Sequence, residues 1–244
     1  MWKDLKEIFI APVKVFSRLL LQLMGWRLMS AAQIHRFQSK TKTVYVYPHT
    51  SYWDFVIVML YTFAHPEAFE HSWALMKPQP FHYFGRFLRW YGFLPATKRG
   101  SKGEGFVEKT ARFLKPKDQF NLFISPEGTR TASPWKSGYY YLARALDANI
   151  GVFGFDYEKM SPVLKDDVNV SEFDVLNVPY GDDPRIKLEA VLQETMWDIV
   201  PLYPSSSFTP VRAYRITKWM NTQKLTMLVP YILLHGIFLF YVLG

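Results

Sequence analysis

A histidine and an aspartate, separated by four residues, stand where a strand-type run gives way to a helix-type run. They are His49 and Asp54, between residues 43–47 and residues 55–62. Side chains three or four residues apart share a helix face, so an aspartate in the first turn can lie beneath a histidine in the preceding loop. A carboxylate on one imidazole nitrogen fixes the tautomer and leaves the other nitrogen to accept a proton. The pair predicts a general base with its orienting group; a histidine that merely caps the helix is the alternative.

A second polar turn follows another short apolar run. Residues 121–124 are of strand type, and the chain continues as Ser-Pro-Glu-Gly-Thr-Arg over residues 125–130. This turn combines a flexible glycine with backbone N–H groups, a threonine hydroxyl and a guanidinium. Such donors at a turn suit a phosphate group. The sequence predicts an anion-binding turn here, although by itself the segment is also compatible with a plain surface turn.

Taken together, the two stretches resemble the HxxxxD glycerolipid acyltransferase family, which includes 1-acyl-glycerol-3-phosphate acyltransferase. His49 and Asp54 match the first family motif, and Glu-Gly-Thr-Arg at residues 127–130 matches the third. Residues 91–99 resemble the second motif, which ends in Asp-Arg in many members; its cation here is Lys98 or Arg99. The resemblance covers roughly residues 40–158, and the segments after the third motif resemble a bacterial-type subgroup.

The resemblance implies transfer of a fatty acyl group from a thioester to the hydroxyl of a lysophospholipid, most commonly lysophosphatidic acid, giving phosphatidic acid. His49, held by Asp54, would be the general base. The substrate-binding residues that it implies are Lys98, Arg99, Glu127, Gly128, Thr129 and Arg130. Arg130, with Lys98 or Arg99, would hold the acceptor phosphate, and Glu127 would orient that site. No metal and no tightly held cofactor is expected; acyl-CoA or acyl carrier protein brings the acyl group as a co-substrate.

The composition favours a lipid surface as the partner. The 244 residues carry a formal charge of +8 and are 18% aromatic. Aromatic side chains prefer the membrane interface, and a basic protein attracts anionic partners. No nucleic-acid-binding motif occurs, so an anionic membrane is favoured over nucleic acid. The absence of cysteine excludes disulfides, thiolate metal sites and a cysteine nucleophile within this sequence.

Both ends of the chain carry apolar segments. Residues 1–29 show apolar side chains at helical spacing with lysines and arginines off that stripe, so they predict one or two amphipathic helices that end or kink at Pro12. These helices lie in the membrane interface or pack on the domain; a cleaved signal peptide is a further alternative. Residues 225–243 carry no charge and are long enough to span about 30 Å of hydrocarbon. Basic residues before them favour a cytoplasmic domain; a buried or re-entrant hairpin is the alternative.

Between the ends, strands alternate with helices, which predicts an α/β fold with a mainly parallel sheet. The expected domains are 1–35 (amphipathic helices), 36–203 (acyltransferase), 204–224 (basic linker) and 225–244 (membrane segment). The expected strands are 43–47, 72–76, 93–94, 121–124 and 150–155. The expected helices are 55–62, 80–91, 106–114, 138–146 and 184–202. Residues 157–183 look polar and irregular; their acidic residues are a minor candidate for metal binding.

Two other function classes remain open. One is a lipid hydrolase or transacylase that uses Ser51 or Ser125 as its nucleophile, although no GxSxG elbow is present. The other is a catalytically inactive, membrane-tethered lipid-binding protein. The lysine at position 98 and the lack of a proline in residues 150–155 motivate this second alternative.

Overall fold

The computed structural model describes residues 2–39, 41–96, 105–130, 133–165, 167–170 and 183–202. The first half of this part contains α1 (Trp2–Leu23), α2 (Ala31–Gln38), β1 (Lys42–Val46), α3 (Trp53–Ala64), α4 (Pro66–Phe69), β2 (Ser72–Met76), α5 (Phe81–Trp90) and β3 (Phe93–Pro95). The second half contains α6 (Phe106–Leu114), β4 (Phe120–Ile124), α7 (Gly138–Leu146), β5 (Asn149–Asp156), β6 (Ser161–Leu164), β7 (Val168–Asn169) and α8 (Pro184–Met196).

A seven-stranded mixed sheet forms the centre of the fold. Strands β3, β2, β4, β1 and β5 lie side by side in that order and are parallel. Strands β6 and β7 pair with β5 in antiparallel orientation. A parallel sheet is covered on both faces, which explains why β4 is buried along its whole length and apolar except at Asn121. The predicted α/β fold with a mainly parallel sheet flanked by helices is confirmed.

Alternate residues of the central strands face two separate cores. One face carries Val44, Leu122 and Ile150, which pack with buried residues of α6, α7 and α8. The other face carries an aromatic layer, including Tyr45 and Phe123, that packs with α1 to α4. The aromatic richness of the sequence is therefore partly a property of this core.

The region after β5 corrects the sequence prediction. Residues 157–183 were expected to be irregular, but a turn at residues 157–160 leads into β6, and β7 follows. Tight hairpins usually signal themselves with Asn-Gly or Asp-Gly; neither occurs here, and Met160 adopts the left-handed conformation, φ 49°, instead. Asp167 forms an ion pair with Arg36 at 2.5 Å. The other acidic candidates of this segment, Asp166, Glu172 and Asp174, lie outside the described residues, and no metal-binding group of acidic and histidine side chains occurs among the described ones.

Two helix predictions also need correction. The last helix ends at Met196 rather than at residue 202. Residues 199–202 are buried in the core, so their apolar pattern looked helical, but Pro201 disfavours helical geometry at the residue before it. The first helix, in contrast, continues through Pro12 from Trp2 to Leu23. The short helices α2 and α4 had not been predicted.

Helix α1 is apolar on more than one face. Leu20 and Leu21 are buried in the core that α1 shares with α3. Val15, Leu19 and Leu23, four residues apart, are 57%, 53% and 81% exposed. No helix in the described ranges has both the length and the apolar character needed to cross a membrane. The predicted linker and membrane segment at residues 204–244 lie outside those ranges, and the four domain boundaries stay predictions.

A buried histidine joins α3 to the N-terminal helices. His65 is 2% exposed, its Nε2 accepts a hydrogen bond from the Met29 N–H at 3.3 Å, and its ring stacks on Tyr61. Burial, followed by the positive charge of Arg18, lowers the pKa of His65 to about 4, although the charge of Glu67 opposes the shift. The folded protein therefore holds this imidazole neutral.

Because His65 is held neutral in the folded protein, we expect the folding stability to be sensitive to acid. An unfolded histidine titrates near pH 6.5, so between about pH 6.5 and the folded pKa of about 4 the unfolded state binds more protons, and stability falls as pH is lowered. We expect His65→Asn to remove about 2 kcal/mol of the loss in unfolding free energy between about pH 7 and about pH 5. Urea unfolding followed by tryptophan fluorescence measures it. His35→Asn, at an exposed histidine of α2, should keep the full wild-type loss; an unchanged pH dependence in His65→Asn would contradict the assignment.

Candidate functional site

The site lies where β1 and β4 end side by side. The two strands are parallel, with Val46 opposite Ile124, and the Tyr47 N–H donates to the Ile124 carbonyl at 3.2 Å. The loop after β1 and the turn after β4 therefore leave the sheet at the same edge. Strand β5 flanks β1 on the other side, with Val152 opposite Val46. Ligands of open α/β sheets bind outside the carboxyl ends of the strands.

His49 and Asp54 are in direct contact at this edge. His49 lies in the loop after β1, Asp54 lies in the first turn of α3, and His49 Nδ1 is 2.9 Å from Asp54 Oδ2. The same Oδ2 accepts hydrogen bonds from the N–H groups of Thr50 and Ser51, both at 3.1 Å. These two backbone donors require an acceptor, so the carboxylate holds the loop against the start of α3. The predicted arrangement, with the aspartate beneath the histidine, is what the structure shows.

Asp54 is itself fixed by a residue to which the sequence analysis assigned no role in the site. The Tyr157 hydroxyl donates to Asp54 Oδ1 at 2.7 Å. Tyr157 is 2% exposed, and its ring packs edge-on against Trp26 at 5.0 Å. It directly follows the end of β5, so its position after a predicted parallel strand was the available signal. The contact between Tyr157 and Asp54 depends on how the end of β5 is positioned relative to the first turn of α3, which no sequence pattern specifies.

These contacts determine the histidine tautomer. An ionised carboxylate only accepts hydrogen bonds, so His49 Nδ1 carries the proton and donates it to Asp54. His49 Nε2 is then the proton-accepting nitrogen. The side chain of Asp54 is 8% exposed and that of His49 is 26% exposed, so the aspartate is sheltered while the histidine remains open to a substrate. Such an arrangement can act chemically as a general base.

The turn after β4 carries the second group of predicted residues. Gly128 adopts φ +63°, which favours glycine, and its N–H donates to the Ser125 carbonyl at 3.1 Å. Glu127 is buried at 1% exposure. The Arg130 guanidinium lies 3.4 Å from the centroid of the Tyr52 ring. Tyr52 lies in the loop between His49 and Asp54 and is 72% exposed, so this cation–π contact joins the two loops.

Two cations and two serines are further candidates from the sequence. Lys98 and Arg99 lie outside the described residues, although β3 ends at Pro95 at the same edge of the sheet. The Ser51 hydroxyl accepts the Trp53 N–H at 3.0 Å, and the buried Ser125 hydroxyl has no hydrogen-bond partner in the described part of the chain. Neither serine is hydrogen-bonded to His49 in that part, so no nucleophile–base pair supports the hydrolase alternative.

Tyr47 lies beside the His49–Asp54 pair. Tyr47 follows β1 directly, and its ring contacts the His49 ring edge-on with centroids 6.0 Å apart. Burial, followed by the negative charge of Asp54, raises the pKa of Tyr47 above its ordinary value. The phenol therefore stays neutral and forms one wall beside the histidine.

Comparison with known families agrees with this geometry. The family model described as Acyltransferase matches residues 30–154, about half of the chain, and includes both the His49–Asp54 loop and the turn at residues 125–130. The chain belongs to this family. It is the family of the HxxxxD glycerolipid acyltransferases, so the resemblance seen in the sequence is confirmed. No individual curated protein matches the chain significantly.

The hydroxyl of Tyr157 is a testable support of the acyltransferase site. Tyr157→Phe removes one donor to a carboxylate, and hydrogen bonds to charged groups contribute about 1.5–3 kcal/mol. We expect kcat for acyl transfer to fall about tenfold, while both substrate KM values change less than about twofold. Steady-state kinetics measures this.

Tyr139→Phe is the matched control for this change. The Tyr139 hydroxyl is also buried, on α7, but no hydrogen-bond partner for it occurs among the described residues. Its removal should leave kcat unchanged. Equal losses of kcat in the two variants would show that Tyr157 acts only through general stability.

Proposed function

We propose that this protein is a membrane-associated O-acyltransferase that moves a fatty acyl group from acyl-CoA or acyl carrier protein to the free hydroxyl of a lysophospholipid. Lysophosphatidic acid is the proposed acceptor and phosphatidic acid the product. The observation that supports this most is the Asp54-oriented histidine, whose Nε2 accepts protons beside a turn that carries a guanidinium. Membership of the acyltransferase family supports the reaction class.

The reaction needs a base because a neutral alcohol is a weak nucleophile. His49 Nε2 takes the hydroxyl proton as the acceptor oxygen attacks the thioester carbonyl. The new C–O bond forms, the C–S bond breaks, and the departing sulfur takes the proton from the imidazolium. Asp54 remains ionised and stabilises the imidazolium while it exists. No acyl-enzyme is required, which agrees with the lack of a serine hydrogen-bonded to His49 among the described residues.

The turn after β4 is the proposed binding site for the acceptor phosphate. A guanidinium offers paired N–H donors that match phosphate oxygens, and stacking on Tyr52 leaves the edge of the Arg130 group available for them. Lys98 or Arg99 is the proposed second cation. Glu127 orients the turn, and Gly128 and Thr129 supply backbone or hydroxyl donors.

The proposed location is a membrane, with the catalytic domain on the cytoplasmic side. The exposed stripe of Val15, Leu19 and Leu23 on α1 supports contact with lipid, because apolar surface of this kind marks an interaction site. Helix α5 adds Tyr83 and Trp90, which are 84% and 73% exposed. The basic residues before residue 225 support the cytoplasmic orientation.

Acyl transfer with a panel of acceptors tests the proposal. Labelled acyl-CoA or acyl carrier protein and a set of lysolipids, lysophosphatidic acid among them, are supplied to wild type and to His49→Ala in detergent. We expect a labelled diacyl product from wild type and a loss of about 10²–10⁴-fold in kcat in the variant, the usual contribution of a general base. Free fatty acid as the sole product would favour hydrolysis, and lipid binding without any product would favour the inactive binding protein.

Arg130 gives a separate prediction about the acceptor. Arg130→Ala removes a charged hydrogen-bond donor to the acceptor phosphate, so the acceptor KM should rise about tenfold or more while the thioester KM changes little. Varying each substrate in turn measures both constants. Arg112→Ala, an exposed arginine at the end of α6 and at the opposite edge of the sheet, is the control and should change neither. Equal rises in the two KM values for Arg130→Ala would contradict the assignment.

A further inference from the structure

Beyond the residues assigned above, a lysine lies against the turn after β4. The Lys136 N–H donates to the Pro126 carbonyl at 2.9 Å, which ties the segment before α7 to this turn. A Cβ added at Gly128 would lie 2.8 Å from Lys136 Nζ and 3.7 Å from its Cδ and Cε. The lysine side chain thus runs over the face of Gly128 that a methyl group would otherwise fill. Its ammonium is held beside the turn.

The Lys136 ammonium makes no ion pair and no hydrogen bond with the described residues. Lys136 is exposed, and the described residues include neither an ion-pair partner nor a hydrogen-bond partner for its side chain. Some other lysines of the described chain are paired, for example Lys14 with Glu67 and Lys165 with Asp198, both at 2.9 Å. An ammonium has three donors and no acceptor. A cation held at a defined place with its donors unused suits an anionic ligand.

The position relates Lys136 to the proposed phosphate site. Gly128 and Arg130 are two residues apart, so their Cα atoms are at most about 7 Å apart. The two side chains differ in what they offer: Arg130 is stacked on Tyr52 and presents a planar edge, whereas Lys136 presents a compact point charge. Together they border one turn with two cations. The Lys136 ammonium can add a second positive charge to a phosphate that the guanidinium orients.

We propose that Lys136 binds a phosphate group of a substrate, as a further cation at the turn formed by residues 125–130. The proposal rests on the proposed function, since it assumes that this turn is a substrate site. Two substrates carry phosphate: the lysophospholipid acceptor, and the donor through coenzyme A or phosphopantetheine. The shared chemistry is a phosphate monoester or diester, and phosphate-free versions of each substrate separate the two sources.

The kinetic test compares substrates with and without phosphate. Wild type, Lys136→Ala and Lys136→Arg are assayed with lysophosphatidic acid and with monoacylglycerol as acceptors, and with acyl-CoA and an acyl-N-acetylcysteamine thioester as donors. Lys136→Ala should raise the KM of one phosphate-bearing substrate about tenfold and leave kcat and the phosphate-free counterpart unchanged. Lys136→Arg should recover most of the loss. The substrate whose KM rises identifies the source of the phosphate.

Lys115→Ala is the matched control. Lys115 is also exposed, but it follows α6 at the opposite edge of the sheet, so its loss should change no KM. Two kinetic results would overturn the proposal. One is an unchanged KM for every substrate in Lys136→Ala. The other is an equal rise for phosphate-bearing and phosphate-free partners, which would indicate a structural role alone.

A binding measurement separates this proposal from the proposed function. Tryptophan fluorescence in detergent is titrated with lysophosphatidic acid and with coenzyme A, using wild type and Lys136→Ala. A wild type that binds one of these probes but transfers no acyl group to any acceptor would refute the acyltransferase proposal, while a tenfold weaker Kd in the variant would still support Lys136. Equal Kd values, or a wild type that binds neither probe, would overturn the role of Lys136.

Discussion

The buried carboxylate of Asp54 is the interaction on which the site depends. It accepts hydrogen bonds from an imidazole, a phenol and two backbone N–H groups, so its two oxygens connect the loop after β1, the start of α3 and the end of β5. A buried polar group needs hydrogen-bond partners to replace the water that it loses, and these four donors supply them. The Asp54 side chain thus has a structural role and an electrostatic role. It fixes both the orientation and the tautomer of His49.

The sheet supplies the other requirement, which is proximity. Parallel strands with matched registers end together. The polar segments that follow β1, β4 and β5 therefore lie close to one another whatever the structure of the individual loops. The residues are separated in sequence by more than 100 positions, as the contact between Asp54 and Tyr157 shows. The strands β1, β4 and β5 are buried and mostly apolar, so they form a rigid scaffold. The polar side chains of the site are carried by the short loops that follow them.

Much of the fold was predictable because its signals are local. Strand β2 and the helices α6 and α7 have the bounds that apolar spacing and terminal residues predict. Strands β6 and β7 were missed because β6 contains a proline and β7 is only two residues long. Helix α8 was predicted too long because residues after it are buried for packing, and burial produces the same apolar pattern as helix.

For the site, spacing predicted the pairs that lie within one segment but not those between segments. The four residues between His49 and Asp54 were enough to predict their contact across the start of α3. The stacking of Arg130 on Tyr52 and the hydrogen bond from Tyr157 depend on how loops from different strands approach one another. The roles of these residues in catalysis and binding do not follow from their contacts, because contact distances depend on the fold whereas turnover depends on the reaction.

The stacking of Arg130 on Tyr52 constrains the distance between the two loops of the site. Tyr52 is one of the four residues between His49 and Asp54, so the contact of its ring with the guanidinium limits the distance between the imidazole and Arg130. In the proposed reaction, a lysolipid held by its phosphate would present its free hydroxyl at that distance. Positional isomers of one lipid differ in this span while sharing the same charge and chain, so the proposed site would discriminate between them by spacing rather than by an added contact.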